Sequence, residues 1–315
     1  MTRILAADVG GTNSRFAVFE VLGGELALSR AQVDAPTAGA SCFEELLERA
    51  LTLGLAWSPQ EIDVAVLAVA GPVEAGRYAK LANAALTVDA RSVGERFGLT
   101  RVVLINDFLA QAYACLSPAA ATARVVQAGK GLAQAALAVI GAGTGLGHCA
   151  LIPDRSGGYL AAPSEAGHAA FPFTVEETDV SRFIRGETGQ DAPYVEAVVS
   201  GPGLALIHKF CTGRDLSPTE AAAELTPGSQ TAGLFARFYG RACRNYVLAC
   251  LGRGGLFVSG GVAAKNPFLV DHDAFRTEFS ACPAFADWLA KLPVKLVGRE
   301  DFGLWGAAVY GLKTM

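Results

Sequence analysis

Apolar positions fall into short runs separated by glycine-rich turns. Residues 3–9 (RILAADV) have strand length, residues 10–13 (GGTN) a tight turn, and residues 15–20 (RFAVFE) the two-residue alternation of a returning strand, which together predict a hairpin. Phe43, Leu46, Leu47, Ala50 and Leu51 recur at helical spacing, and Ser41 before them suits a cap. Residues 64–69 and 102–105 are β-branched apolar runs of the type buried on both faces of a sheet, with a helix predicted near 93–97 between them. Residues 137–152 (LAVIGAGTGLGHCALI) repeat the opening theme of strand, glycine turn and strand. A long helix is predicted over 231–251, a strand over 255–259 ending at Gly260-Gly261, and a tail helix over 302–312. The repetition predicts two related α/β domains facing each other across a cleft. Residues 117–123 (SPAAATA) read as a loop, which puts the domain boundary near residue 112.

Composition narrows the classes. The chain has 315 residues, 51% apolar, enough for a sizeable core and against disorder. Its length fits two domains, because single cores rarely grow past ~250 residues. With 26 Lys and Arg against 30 Asp and Glu, a net charge of -4 and no basic run, nucleic acid is excluded as the main partner. No apolar run approaches the ~18 residues that would predict a membrane span. The opening segment, with Asp8 inside its first apolar stretch, does not read as a secretory signal, so a cytoplasmic protein is expected. Seven scattered cysteines, never spaced C-x-x-C, read as reduced and mostly buried thiols.

Neither glycine turn is a dinucleotide fingerprint: in residues 141–147 (GAGTGLG) the third required glycine falls on Leu146, and a strand follows rather than a helix. Gly129-Lys130 is followed by Gly131, so it is not a P-loop. What remains is two turns rich in main-chain N–H, with Thr12, Asn13 and Thr144 at their tips. Glycine lets successive N–H groups converge on an anion such as a nucleotide phosphate, although a plain hairpin turn uses the same residues. Asn106-Asp107 follows the apolar run 102–105, at the strand end where α/β sheets bind ligands. Asp107 can there accept a hydroxyl proton, or merely cap the next helix. Glu165 and His168 in residues 164–168 (SEAGH), Glu196 before Ser200, and Asn83 supply carboxylates, an imidazole and amides of the kind polyhydroxy ligands require. Taken singly, Glu196 reads as a solvated helix residue and His168 as a core histidine before either reads as functional.

Taken together, residues 8–15 (DVGGTNSR), 105–108 (INDF), 141–147 (GAGTGLG), 164–168 (SEAGH), 200–203 (SGPG) and 259–262 (SGGV) resemble the bacterial ATP-dependent glucokinase family in order and spacing, over almost the whole chain. The resemblance implies a two-lobed, actin-like (ribonuclease H-like) α/β ATPase fold with its active site in the interdomain cleft. The small domain would be residues 1–112, closed by the tail helix at 303–315, and the large domain 113–302. It also implies transfer of the ATP γ-phosphoryl group to the 6-hydroxyl of glucose. By the same resemblance Asp107 is the general base. Asn83, Asn106, Glu165, His168 and Glu196 hold the sugar, and Gly10, Gly11, Thr12, Asn13, Gly143 and Thr144 hold the phosphates. Gly260 and Gly261 line the adenosine pocket, and Asp8 lies near Mg²⁺, through water. A homodimer is expected.

Two positions depart from the family pattern. Ala166-Gly167 stands where a glycine pair is common, and Ser164 replaces a glycine, which leaves the choice among glucose, mannose and glucosamine open. No cysteine cluster follows His168, so the zinc site of the related repressor and kinase group is not expected. Kinases for another hexose or amino sugar, a non-catalytic sugar sensor and an actin-like assembly ATPase are the competing readings. Asp107 and the hydroxyl-binding set speak against the last two.

Overall fold

A computed structural model describes residues 2–28, 32–81 and 86–315, and the chain divides into two units, Met1–Thr122 with Arg299–Met315, and Ala123–Gly298. In the first unit the predicted hairpin forms from β1 (Arg3–Val9) and β2 (Asn13–Leu22), paired so that Val9 faces Ser14. β3 (Glu25–Leu28) and β4 (Val33–Pro36) both pair with β2. On the other side β1 runs parallel to β5 (Val64–Val69). All six residues of β5 are buried, as its unbroken apolar run requires.

Side chains alternate between the two faces of this sheet. Leu5, Ala7, Val9, Ala65, Leu67 and Val69 join one core with Phe43, Leu46 and Leu47 of α1 (Phe43–Thr52). The opposite face receives the tail helix, Phe302–Lys313, whose Trp305 lies edge-on to Phe19 at 4.9 Å. α1 starts after Cys42, not after a Ser41 cap. The Ser41 carbonyl is taken by the Thr87 N–H, Cys42 is the extended residue before the helix, and the Ser41 N–H and hydroxyl donate to Glu45.

Three very short strands, β6 (Val73–Glu74), β7 (Tyr78–Lys80) and β8 (Thr87–Asp89), make a separate small sheet that leads into α2 (Ala90–Phe97). The main sheet is completed by β9 (Val102–Asn106), parallel to β5, and α3 (Asp107–Ala114) follows without a break. α3 runs through position 112, and the predicted loop after it contains a 3₁₀ turn, Pro118–Thr122, so the units divide at residue 122.

The second unit repeats the arrangement. β10 (Arg124–Gln127) lies at one edge, and β11 (Leu137–Ala142) and β12 (Leu146–Pro153) form the glycine hairpin, extended by β13 (Tyr159–Ser164). β11 runs parallel to β14 (Gly255–Ser259), which is parallel to β15 (Val294–Leu296), so each hairpin's first strand has an antiparallel and a parallel neighbour. Of the helices, α4 (Thr178–Thr188), the single-turn α5 (Val195–Val198), α6 (Gly201–Thr212), α7 (Pro218–Ala223) and α8 (Gln230–Ala249) follow in order. α8 buries Phe235, Phe238 and Tyr239 in the core of this unit. α9 (Gly261–Lys265) follows β14 directly. All seven cysteines are free thiols, with Cys115, Cys149 and Cys243 buried and the other four half-buried. Among the described residues no helix is long and apolar enough to cross a membrane.

Candidate active site

In the first unit, Asn106 and Asp107 divide two jobs between them. Asn106 is the cap of α3: its Oδ1 accepts the N–H groups of Phe108 (2.9 Å) and Leu109 (3.3 Å). Its Nδ2 donates to the Gly71 carbonyl at 3.1 Å. Asp107 is therefore the first helical residue rather than the cap, and its Oδ1 also accepts the Phe108 N–H at 2.9 Å.

Asp107 lies close enough to Asp8 to act on its charge. The Asp8 carboxyl is pushed up to about 7, first by burial and then by Asp107, with Arg15 partly offsetting both. Arg15 faces Asp8 across the β1–β2 ladder and gives one guanidinium nitrogen to Glu300 at 2.7 Å. Gly303, near the start of the tail helix, packs on the Asp8 carboxylate so tightly that any Cβ there would overlap it. A carboxyl whose folded pKa lies above its ordinary 3.8 binds extra protons in the folded state, so it lowers stability as pH rises from about 4 to about 7. Asp8→Asn is accordingly expected to raise the Tm of the ligand-free protein at pH 8 and to change it little at pH 4, read by thermal melts at both pH values. An equal shift at both would mean that Asp8 carries no such charge penalty.

The turn at residues 10–13 sits at the ends of β1 and β2. The Gly10 N–H donates to the Asn13 carbonyl at 3.2 Å, while the N–H groups of the exposed Gly11 and Thr12 donate to no described residue. Thr37, absent from the sequence-read set, accepts and donates at the back of this turn.

The second unit presents its own turn in the same way. The Gly143 N–H donates to the Gly145 carbonyl at 2.8 Å, and the Gly143 carbonyl accepts the Gly201 N–H at 2.7 Å. The N–H groups of Thr144 and Gly145 donate to no described residue. Glu196, in the first turn of α5, accepts the Leu146 N–H at 2.8 Å, and a Cβ on Gly145 would stand 2.6 Å from the same carboxylate oxygen. Glu196 is thus a partner of the turn and not a merely solvated helix residue. Its Cβ is also close to Gly167 of the 164–168 motif.

Glu165 precedes a 3₁₀ turn, Ala166–His168, that ends at His168, and His168 Nε2 is 3.7 Å from Glu165 Oε2. Both are exposed, so His168 is no core histidine, and its ring lies edge-on to Tyr194 at 5.8 Å. Ser164, one of the two departures from the family pattern, accepts the Ala166 N–H through its Oγ at 3.2 Å and braces this turn.

Gly260 adopts φ +88°, and a side chain there would run into the Ala142 carbonyl, so only glycine fits beside the second turn. The buried Tyr239 hydroxyl accepts the Ala142 N–H at 3.2 Å and reaches the Ser259 carbonyl at 3.5 Å, tying the ends of β11 and β14 together. The structure therefore brings Asp8 and Asp107 together in the first unit, and residues 143–146, 167, 196 and 260 in the second. Asn83 lies outside the described residues. No sequence signal pointed to Thr37 or Tyr239, since each acts across a long stretch of chain.

A family profile described as Glucokinase matches residues 5–314. Glucokinases of Nostoc sp. and Caulobacter sp. are 30% and 31% identical, over 98% and 97% of this chain and 98% and 94% of theirs. Among solved structures, a glucokinase from an Antarctic psychrotroph superposes with a TM-score of 0.84 at 27% identity, covering 100% of both chains. A Streptomyces griseus ROK family glucokinase, in complex with glucose and AMPPNP, shares the fold with a TM-score of 0.62 at 19% identity over 97% of this chain and 98% of its own. The fold is that of the actin-like ATPases, and the chain belongs to the glucokinase family of ATP-dependent hexose kinases.

Proposed function

We propose that this enzyme makes glucose 6-phosphate with Asp107 as the general base. The observation that carries the role is the placement of Asp107: Asn106 caps α3, so the Asp107 carboxylate, which also accepts the Phe108 N–H, is held at the end of a parallel strand. The 6-hydroxyl oxygen forms the new bond to the γ-phosphorus, the bond from that phosphorus to the bridging oxygen breaks, ADP leaves, and the hydroxyl proton goes to Asp107. Phosphoryl transfer of this kind has a loose transition state, so orientation and charge neutralisation supply most of the rate.

The unspent N–H pairs at Gly11-Thr12 and Thr144-Gly145 support the assignment of residues 10–13 and 143–144 to the phosphates. The glycine pair at 260–261, beside the second turn, suits the adenosine. Glu165, His168 and Glu196 supply the sugar contacts of the second unit. Asn106 has already committed its Oδ1 and one amide hydrogen, so it orients the site as much as it touches sugar. Asn83 keeps its expected hydroxyl contact. The reaction belongs at the entry to glycolysis, in the cytoplasm, in a homodimer, in keeping with the family resemblance.

Magnesium suits the first unit. Two carboxylates, one of them with its pKa near 7, carry a repulsion that a divalent cation would relieve. Among the described residues no three His, Cys, Asp or Glu converge, so Asp8 would hold the ion through water alongside phosphate oxygens. When bound it neutralises charge on the transferring group. Asp8 would accept from the ion's water ligands, and Gly303, where a Cβ would overlap the carboxylate, keeps room for Asp8.

A coupled assay over glucose, mannose and glucosamine with ATP, GTP, ADP and polyphosphate tests the reading. Glucose with ATP is expected to give the highest kcat/KM. A tenfold preference, on the order of 1.4 kcal/mol, for another sugar would move the assignment to that sugar.

A further inference from the structure

The first glycine turn takes its shape from one buried side chain elsewhere in the chain. Thr37 lies just after β4 and is buried, as is Ser14 on β2. The Thr37 N–H donates to the Thr12 carbonyl at 2.9 Å, and its hydroxyl donates to the Gly10 carbonyl at 2.8 Å. Its Oγ1 also lies 2.8 Å from the Ser14 Oγ. A carbonyl only accepts, so the single Thr37 hydroxyl proton is committed to Gly10 and Ser14 must be the donor in the hydroxyl pair. The result is a chain of bonds from Ser14 through Thr37 to Gly10.

The two groups of a trans peptide point in opposite directions. By drawing the Gly10 carbonyl toward itself, Thr37 turns the N–H of the same peptide, that of Gly11, the other way. Gly11 is exposed, and its N–H donates to no described residue.

We propose that Thr37 is a positioning residue for the nucleotide, holding the Gly10-Gly11 peptide so that its N–H meets the triphosphate. The proposal rests on the reading of residues 10–13 as a phosphate turn. Thr37→Val keeps the shape and the main-chain N–H but loses the proton, whereas Thr37→Ser keeps both. Misaligned groups cost up to ~10²-fold, so Thr37→Val is expected to raise the KM for ATP roughly tenfold. The KM for glucose should stay within about twofold, and Thr37→Ser should restore the KM for ATP to within about threefold of the parent.

Steady-state kinetics with ATP and glucose varied independently give these values, and the Gly11 amide signal followed during AMPPNP titration tests the underlying reading. A Gly11 signal that moves, with an unchanged KM for ATP in Thr37→Val, overturns the positioning role alone. Equal rises in both KM values, unrescued by serine, also overturn it, because they mark a purely structural residue. A Gly11 signal unmoved by saturating AMPPNP removes the phosphate turn itself. Should Thr37→Val not fold, Thr37→Ala, which removes the hydroxyl that holds the Gly10 carbonyl and keeps the main-chain N–H to Thr12, is expected to raise the KM for ATP roughly tenfold with the KM for glucose within about twofold. No change there would overturn the proposal.

Discussion

Replacing Asp107 with alanine is expected to lower kcat by about 10² to 10⁴, the range for loss of a general base, with the KM for ATP nearly unchanged. The enzyme should still fold, because Asn106 accepts both the Phe108 and Leu109 N–H groups, so the loss of Asp107, which shares the Phe108 N–H, leaves each of them with a partner. Substrate binding should survive because a loose transition state needs the base only late, as the hydroxyl proton departs. A second readout comes from Asp8. Its carboxyl is pushed up to about 7 by burial first and by the Asp107 charge second, so removing that charge should bring the Asp8 titration down. Stopped assays of glucose 6-phosphate formation, with a carboxyl titration by NMR, measure both effects. A folded Asp107→Ala enzyme turning over at the parental rate would end the assignment of Asp107. A downward Asp8 shift in the same sample would show that the substitution had reached its target.

How much of this was legible in the sequence depends on how local each feature is. Both glycine hairpins, the strand 255–259 and the tail helix were readable because alternation, turn glycines and helical spacing all lie within a few neighbours. The cap of α3 was not. Asn and Asp are equally good caps, and only the backbone settled that the first of the pair takes the role. Ser41 failed as a cap for a different reason: the Thr87 N–H, contributed from β8, claims its carbonyl, and the extended Cys42 separates it from the helix. The β6–β8 sheet escaped notice because strands of two or three residues carry no alternation. Thr37 and Tyr239 escaped because their partners at the turns lie 27 and 97 residues away, and no local pattern encodes such a contact. The family motifs supplied what spacing could not, the expectation that Asp107, Glu165, His168 and Glu196 act as a sugar kinase set. Even so, they did not show that Glu196 also holds the Leu146 N–H.

The second unit packs around α8, and Arg241 is the buried charge on that helix. Its guanidinium gives two parallel bonds to Glu177, at 2.6 and 2.8 Å, a third to Glu278 at 2.9 Å and a fourth to the Pro172 carbonyl at 2.9 Å. Arg241 and Glu177 are both buried, and Phe171 and Phe238 place ring faces 5.5 and 5.7 Å from the guanidinium. Burial alone would pull the Arg241 pKa down, but the bonds to Glu177 and Glu278 outweigh it and leave the group firmly charged. Arg241→Met fills similar space yet strands Glu177 without its partner, which for a buried pair costs about 3–5 kcal/mol. For a unit of this size that is a fall in Tm of about 10 °C. Burial raises the Glu278 pKa, but its bonds to Arg241 and Arg244 more than reverse this and hold it below the ordinary 4.5. A depressed carboxylate contributes stability above its ordinary pKa and loses it as pH falls through the folded value, so the gap between variant and parent should narrow below pH 4.5. Pro172 lies on the same stretch as His168, and the KM for glucose is therefore expected to rise along with the loss of stability. Urea and thermal melts at pH 7 and pH 4, with glucose kinetics on the same samples, separate the parts. If Arg241→Met melts within a degree or so of the parent at pH 7, far less than the cost of breaking a buried pair, the pair does not hold this unit together.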